Sequence, residues 1–225
     1  MAILHLGSGS SDLSNHLRKL LSSMHHHDSR YISGAVILNL DFAAAAIEIG
    51  RRHEREEFGD DRNEDSMRWA VVDILDSTSF KRACDEQCGN GRMFNIIVEK
   101  SCTDALACGA DIRLGPFSSD EGQEIPVSRE LCSRLFSPEA AVAIYLAAVT
   151  QPGGAWIALS YSAERFDFLR DAKQPAAVMW SLERVQRIVA NSGVEAGLGS
   201  TVHRPEIIHF VYTIRRMPGL KEKQS

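Results

Sequence analysis

An apolar run, Ile3-Leu4-His5-Leu6, breaks into Gly7-Ser8-Gly9-Ser10-Ser11-Asp12, and a second run, Val36-Ile37-Leu38-Asn39-Leu40, closes on Asp41. Residues of these types at this spacing can grip a nucleoside. Glycines at positions 7 and 9 let the chain turn sharply after a strand and come close to a ligand. Ser11 or Asp12 can cap the helix that follows, whose first amides face the bound molecule. Asp41, ending the second strand, can accept hydrogen bonds from both hydroxyls of a ribose. The stretch Met67 to Asp76 reads as a third buried strand ending in Asp73, whose carboxylate can accept from an adenine amino group while Ile74 and Leu75 flank the ring.

Which adenosine ligand this is follows from what the turn lacks. A dinucleotide fingerprint wants a third glycine where Asp12 stands, and a carboxylate there repels a pyrophosphate. A phosphate-binding loop needs a Gly-Lys-Ser/Thr ending, which is also missing. S-adenosylmethionine has no phosphate, carries a sulfonium cation, and suits an acidic, glycine-containing turn. It is the expected cofactor.

These residues resemble class I S-adenosylmethionine-dependent methyltransferases. Within them they are similar to the methyltransferase-like group that includes the lysine methyltransferases of elongation factor 1-alpha and of citrate synthase. The group's first motif, Gly-Cys-Gly-Asn-Ser followed by an acid and a leucine, is matched by Gly7-Ser8-Gly9-Ser10-Ser11-Asp12-Leu13. Its second motif resembles Asn39-Leu40-Asp41-Phe42. Its fourth-strand motif, Asp-Lys-Gly-Thr-Leu-Asp-Ala, looks like Glu99-Lys100-Ser101-Cys102-Thr103-Asp104-Ala105, the more specific of the signals. The resemblance runs from residue 1 to about 110 and resumes at Gly153 to Ile157 and at His209 to Tyr212. It implies a Rossmann-like seven-stranded sheet, mostly parallel with an antiparallel last strand and helices on both faces. It also implies a cofactor site built from Gly7, Ser8, Gly9, Ser11, Leu13, Asp41, Phe42, Asp73, Ile74 and Glu99.

Two departures from the group's pattern bear on substrate. Ser101 stands where the fourth-strand motif has glycine, beside the transferred methyl. The first strand begins almost at Met1, whereas the family has a preceding segment that closes over cofactor and substrate. That lid is absent, replaced or lost.

A chain of 225 residues with 44% hydrophobic content can bury one sizeable core, so a single α/β domain over residues 1–225 is expected. Net charge is −5, and no Lys/Arg patch interleaved with aromatics stands out, which argues against a nucleic-acid partner. The apolar stretch Ala140 to Val149 is too short to cross a bilayer and no secretory leader is seen, so no membrane association and a cytoplasmic location are expected. The five cysteines lack paired Cys-x-x-Cys spacing and suit a reducing compartment. Cys84 and Cys88 read as thiols on a helix and His25-His26-His27 as a solvated loop, and no metal site is expected.

The elements that must position the site alternate along the chain. Helices are expected over Ala43 to Glu57 and Ser77 to Gln87, the latter capped by Ser77 or Thr78, and a fourth strand over Met93 to Val98. Gly109 to Arg129, rich in Gly, Pro, Ser and acids, reads as a substrate-side insertion in which Phe117, Asp111, Asp120 or Glu124 can shape a pocket. Ser137-Pro138-Glu139 opens a helix to about Val149 with a capping hydroxyl, a proline at the first position and an early acid. A fifth strand follows over Ala155 to Tyr161, a helix over Ser181 to Asn191, and a closing hairpin of Val194 to Val202 with Ile207 to Arg215.

Methyl transfer is an in-line displacement, so the protein aligns nucleophile, methyl and leaving sulfur and excludes water. A lysine amine must first shed a proton. Glu99 and Asp104, with Tyr161 at the end of the fifth strand, are the candidate catalytic groups. Supporting roles for Glu99 against the cofactor and for Asp104 in bracing the loop are the stronger readings. The acceptor is expected to be an amine such as a protein lysine. A small-molecule N- or O-acceptor is the alternative, and a non-catalytic binding partner that keeps the fold is a third. Acceptor identity, the number of methyl groups and oligomeric state are not written in the sequence.

Overall fold

The computed structural model describes residues 1–9, 12–25, 36–59, 66–89, 91, 93–115, 131, 133–190 and 206–218. Strand β1 (Ala2–Leu6) leads through the glycine turn to helix α1 (Leu13–His25), then β2 (Val36–Asp41), α2 (Ala44–Phe58), β3 (Arg68–Val71), α3 (Ser77–Cys88) and β4 (Phe94–Lys100). A short helix α4 (Cys102–Leu106) and a two-stranded ribbon of β5 (Ile112–Arg113) and β6 (Leu135–Phe136) precede α5 (Pro138–Val149). The chain continues as β7 (Thr150–Ser160), a 3-10 turn (Asp167–Arg170), α6 (Pro175–Met179), β8 (Trp180–Ala190) and β9 (Ile207–Arg216).

Seven strands form one sheet in the order β3-β2-β1-β4-β7-β9-β8. The pairs β1/β2, β1/β4, β2/β3 and β4/β7 are parallel, and β9 runs antiparallel to both neighbours. The order reverses between β1 and β4. In an open parallel sheet that is where a crevice opens beyond the carboxyl ends of the strands.

Alternation along β1 and β2 sends side chains to two cores. Leu4, Leu6, Leu38 and Leu40 pack with Phe80 of α3 and with α5, and Ile3 and Ile37 pack with Leu21 of α1 and Ile47 of α2. Helix α5 is apolar all round and buried along nearly its whole length, as a central helix must be. Gly50 of α2 is fixed by close approach, because a Cβ there would lie 2.2 Å from the Trp69 ring. Glu54 of α2, a carboxylate, is buried. It accepts from Met67 N (2.7 Å), Trp69 Nε1 (2.7 Å) and Arg18 Nη1 (2.8 Å), tying α1, α2 and β3 together.

The largest correction concerns Ser181 to Asn191. Residues 180–190 form β8 rather than a helix, paired with β9 from Trp180↔Arg216 to Ala190↔Ile207. Leu182, Glu183, Arg184, Gln186 and Arg187 favour helix, but Val185, Ile188 and Val189 are β-branched and a ten-residue partner strand overrides local propensity. The hairpin partner of β9 is therefore β8, and residues 194–202 lie outside the described residues. Caps also differ. Asp76, not Ser77 or Thr78, caps α3 by accepting from Thr78 N and Ser79 N, and Ser137 makes no capping bond to α5. The third strand ends at Val71, two residues before Asp73. Pro152, Gly153 and Gly154 lie inside β7, where the register with β4 shifts. Residues 116–129 of the expected insertion, with Phe117, Asp120 and Glu124, lie outside the described residues, as do His26, His27 and Cys132. Among the described residues, Cys84, Cys88, Cys102 and Cys108 form no disulfide. Among the described residues no helix is long and apolar enough to cross a membrane, and no three metal-binding side chains cluster.

Candidate functional site

The crevice between the carboxyl ends of β1 and β4 is built from four strand ends. At the first, Gly7 and Gly9 both have φ +57°, the left-handed region that glycine enters without steric cost. Gly7 is also pressed against α4, since a Cβ there would stand 2.8 Å from Cys102 Cβ and 2.9 Å from its Sγ. Ser8 between them is buried, and its N–H donates to Leu40 O at 3.0 Å, locking the turn to β2. Ser11 lies outside the described residues. Leu13, the first residue of α1, is half-buried. The Asp12 carboxylate faces His53 Nδ1 at 3.3 Å.

At the second strand end, Asp41 is only 7% exposed, and its two oxygens are shared between two segments. Oδ2 accepts from Gly9 N (2.9 Å) and Oδ1 from Ala43 N (2.8 Å), so one carboxylate ties the glycine turn to the start of α2. A carboxylate offers about four acceptor positions, so each oxygen keeps one for a ligand hydroxyl. Phe42 beside it is 80% exposed. At the third strand end, Val72 N donates to Asp41 O at 2.8 Å, which brings the Asp73 segment alongside. Asp73 is exposed and accepts from Leu75 N through Oδ1 (2.9 Å), while Ile74 is turned into the core at 8% exposure.

The polar layer beneath the glycine turn escaped the sequence reading. His5, fully buried on β1, lies with Nδ1 2.8 Å from Ser14 Oγ and 3.1 Å from Asn39 Oδ1. Burial outweighs the help of Asn39 and Asp41 and drops its pKa to about 4, so the ring is neutral at physiological pH.

At the fourth strand end an acid is turned inward. Glu99 is 2% exposed and points into the protein, where Oε2 accepts from Cys102 N (2.7 Å) and Thr103 N (3.1 Å) and Oε1 from Thr103 Oγ1 (2.6 Å). It braces the first turn of α4. Burial pushes its pKa up to about 7 against those hydrogen bonds. Asp104, one turn on, is a second brace. Its Oδ1 accepts from Ser160 Oγ (2.5 Å) and Arg165 Nε (2.9 Å), and its Oδ2 accepts from Tyr161 N (3.0 Å). Burial alone would raise its pKa, but Ser160, the Tyr161 amide and the Arg165 guanidinium outweigh that and hold it below the ordinary value.

Tyr161 follows β7 directly and is 57% exposed, its ring centroid 4.6 Å from that of His209 on β9. The partner His209 was not singled out from sequence, because only the register Ser160↔Phe210 brings it beside Tyr161. The segment after Tyr161 is held from below, with Tyr212 Oη donating to Ser162 O (2.6 Å) and Phe166 packed against Trp156 and Tyr212. Ser101 has φ +60°, the only non-glycine among the described residues in the left-handed region. The base of the 109–129 segment is packed down on the same rim. Leu114 is buried, Gly115 N donates to Tyr145 Oη (3.0 Å), and a Cβ on Gly115 would meet Ser77 Oγ at 2.6 Å.

No protein-family model matches the chain. The methyltransferase srdJ of Neurospora crassa is 26% identical over 217 residues, 96% of this chain and 66% of that protein, so the chain spans about two thirds of that relative's length. Among solved structures, a candidate methyltransferase from Thermoplasma acidophilum superposes with a TM-score of 0.53 at 11% identity, covering 97% of this chain and 69% of that one. A SAM-dependent methyltransferase from Anabaena variabilis gives 0.50 at 11% identity, covering 96% and 77%. Strand order, the single antiparallel strand and these likenesses agree: the chain has the Rossmann-like seven-stranded fold of the class I methyltransferases.

Proposed function

We propose that the protein is an S-adenosylmethionine-dependent methyltransferase that methylates an amine, most concretely a protein lysine side chain. The observation that carries this reading is the Asp41 carboxylate at the end of β2, bonded to Gly9 N of the turn after β1 with acceptor positions to spare. The fold and the likeness to a protein named a methyltransferase support it. The residues present fit the cofactor. Asp41 would take the ribose hydroxyls, Phe42 and the Asp73-Ile74 segment the adenine, and the Gly7-Ser8-Gly9 turn with the start of α1 the amino acid tail. When bound, S-adenosylmethionine supplies an electrophilic methyl group on a positively charged sulfur.

The chain's own residues supply alignment and shelter. Glu99 and Asp104 hold α4 against the Gly7 turn and the Tyr161 segment, which fixes the two sides of the rim. Tyr161 and His209 present the groups nearest the acceptor side that can meet an incoming amine. The resemblance of residues 99–105 to the lysine methyltransferases' fourth-strand motif favours a protein lysine. A small-molecule acceptor is the second reading, favoured by the way Leu114 and Gly115 pack onto α3 and α5 and narrow the rim.

Calorimetry with S-adenosylhomocysteine tests the core of the proposal. Binding to the wild-type chain that is lost in Asp41→Ala supports it, and no binding at millimolar ligand refutes it. Incubation with methyl-labelled cofactor and cell extract then assigns the acceptor: label in protein supports the lysine reading, label in small molecules the second.

A further inference from the structure

Three buried side chains beneath the glycine turn form one connected polar layer, and each comes from a different element of the crevice. His5 stands two residues before Gly7 on β1, Asn39 two residues before Asp41 on β2, and Ser14 in the first turn of α1. All three are at most 1% exposed. Asn39 Nδ2 donates to Arg68 O (3.3 Å), which leaves its Oδ1 for the other two, and Ser14 Oγ donates to that oxygen (2.7 Å). An amide oxygen cannot donate and the Ser14 proton is already committed. His5 Nδ1 therefore carries the hydrogen that meets Ser14 Oγ (2.8 Å) and Asn39 Oδ1 (3.1 Å). His5 Nε2 is then a bare acceptor, buried with no partner among the described residues. The layer has a single hydrogen-bond direction, from β1 through α1 and β2 to the backbone of β3, and a satisfied buried network of this kind is rigid.

What it fixes is the start of α1. The ribose end of the crevice is held independently, since Asp41 accepts from Gly9 N and Ala43 N, and Ser8 N donates to Leu40 O. The first turn of α1 reaches α2 through His53, which lies 3.3 Å from the Asp12 carboxylate and accepts from Asn15 Nδ2 through its carbonyl (3.3 Å). Among the described residues, Ser14 makes the side-chain hydrogen bonds that tie this turn to the sheet. Its hydroxyl is drawn down onto β1 and β2, and the backbone N–H groups of the turn, which have no partners inside the helix, are left for a ligand.

Resting on the methyl-transfer reading, we propose that the His5–Ser14–Asn39 layer positions the amino acid tail of the cofactor, by setting the distance from the α1 amides that take the tail to the Asp41 carboxylate that takes the ribose. The three side chains touch no ligand and act through the helix start. Without the tie, a shift of about 1 Å in the first turn is enough to misalign the amides, while the adenosine end keeps its own supports.

Calorimetry with two ligands reads this division. S-adenosylhomocysteine carries both adenosine and tail, and 5′-methylthioadenosine carries the adenosine without the tail. Ser14→Ala should weaken S-adenosylhomocysteine about tenfold and leave 5′-methylthioadenosine within about twofold of wild type. His5→Leu removes the first donor of the layer and should show the same selective loss. Combining the two should add less than about a further twofold, because both act through one network. Equal losses for the two ligands, or a loss for neither, overturn the proposal and leave the methyl-transfer reading standing. If wild type binds neither ligand, that reading itself falls and this proposal with it.

Discussion

Glu99→Gln isolates the energetic consequence of burying an acid under the rim. The wild-type carboxyl goes from an ordinary value of 4.5 to about 7 on folding, chiefly through burial. Below pH 4.5 it is protonated in both states and there is no penalty. As pH rises from 4.5 to 7 the unfolded chain releases its proton while the folded one retains it, so stability falls across that window. At about 1.4 kcal/mol for each pH unit between the two values, the full loss is about 3 kcal/mol. Glutamine keeps a carbonyl oxygen for Cys102 N and Thr103 N, and its amide can donate to Thr103 Oγ1 once that hydroxyl turns round. His5 works in the opposite sense. Its folded value of about 4 against 6.5 gives stability that is present above pH 6.5 and lost as pH falls toward 4. The two nearly cancel in the wild type, whose stability should be close to flat from pH 4.5 to 6.5. The variant loses only the Glu99 part, so its stability should climb by about 2 kcal/mol over that range as His5 acts unopposed. Urea denaturation at half-unit pH intervals measures both chains. A wild-type minus variant difference that does not change with pH refutes the reasoning.

Three further outcomes are expected. Ser101→Gly relieves a left-handed serine and should raise stability by about 1 kcal/mol, seen as a Tm about 2–4 °C higher; an unchanged or lower Tm means the conformation carries no strain. Asp41→Ala removes the acceptor for Gly9 N and Ala43 N and the proposed ribose contact, so S-adenosylhomocysteine should bind at least about a hundredfold more weakly by calorimetry. An affinity within a factor of two of wild type places the ribose elsewhere. Glu54→Ala leaves Met67 N, Trp69 Nε1 and the Arg18 guanidinium without their acceptor and should cost about 3–5 kcal/mol by urea denaturation. A loss below about 1 kcal/mol contradicts the hub assigned to it.

The first half of the fold was legible because its signals are local. β1, α1, β2 and α2 each carry their own hydrophobic period, and glycine at 7 and 9 announces the turn between them. β8 was not legible because its identity is a pairing: Val185, Ile188 and Val189 become a strand against Ile207 to Arg216, and nothing inside residues 181–191 says that such a partner exists. The burial of Glu54 was not legible for a related reason, since its three partners come from α1, from Met67 and from Trp69 of β3. At the site, Asp41 and the glycine turn could be placed from order along the chain. The inward turn of Glu99, the tilted contact of Tyr161 with His209 and the left-handed Ser101 depend on how β4, β7 and β9 align, which no single segment encodes.

An acid at the end of a parallel strand has two competing uses, because the chain that leaves the strand exposes backbone N–H groups as well as facing the crevice. Counting donors separates them. Glu99 receives three donors while buried, which leaves one of about four acceptor positions, turned into the protein and away from a ligand. Asp104 also receives three, one of them from a guanidinium, and is scaffold on the acceptor side. Asp41 receives two, one on each oxygen, and Asp73 one. The remaining acceptor capacity thus lies toward β1, β2 and β3, the end proposed to take an adenosine with its hydroxyls and amino group. The β4 and β7 end offers the exposed Tyr161 beside His209 instead of a free carboxylate. That division makes proton removal by a carboxylate the weaker route here. It predicts that Asp104→Asn lowers stability and Tyr161 order together, whereas a catalytic base would lower turnover alone with folding and cofactor affinity intact.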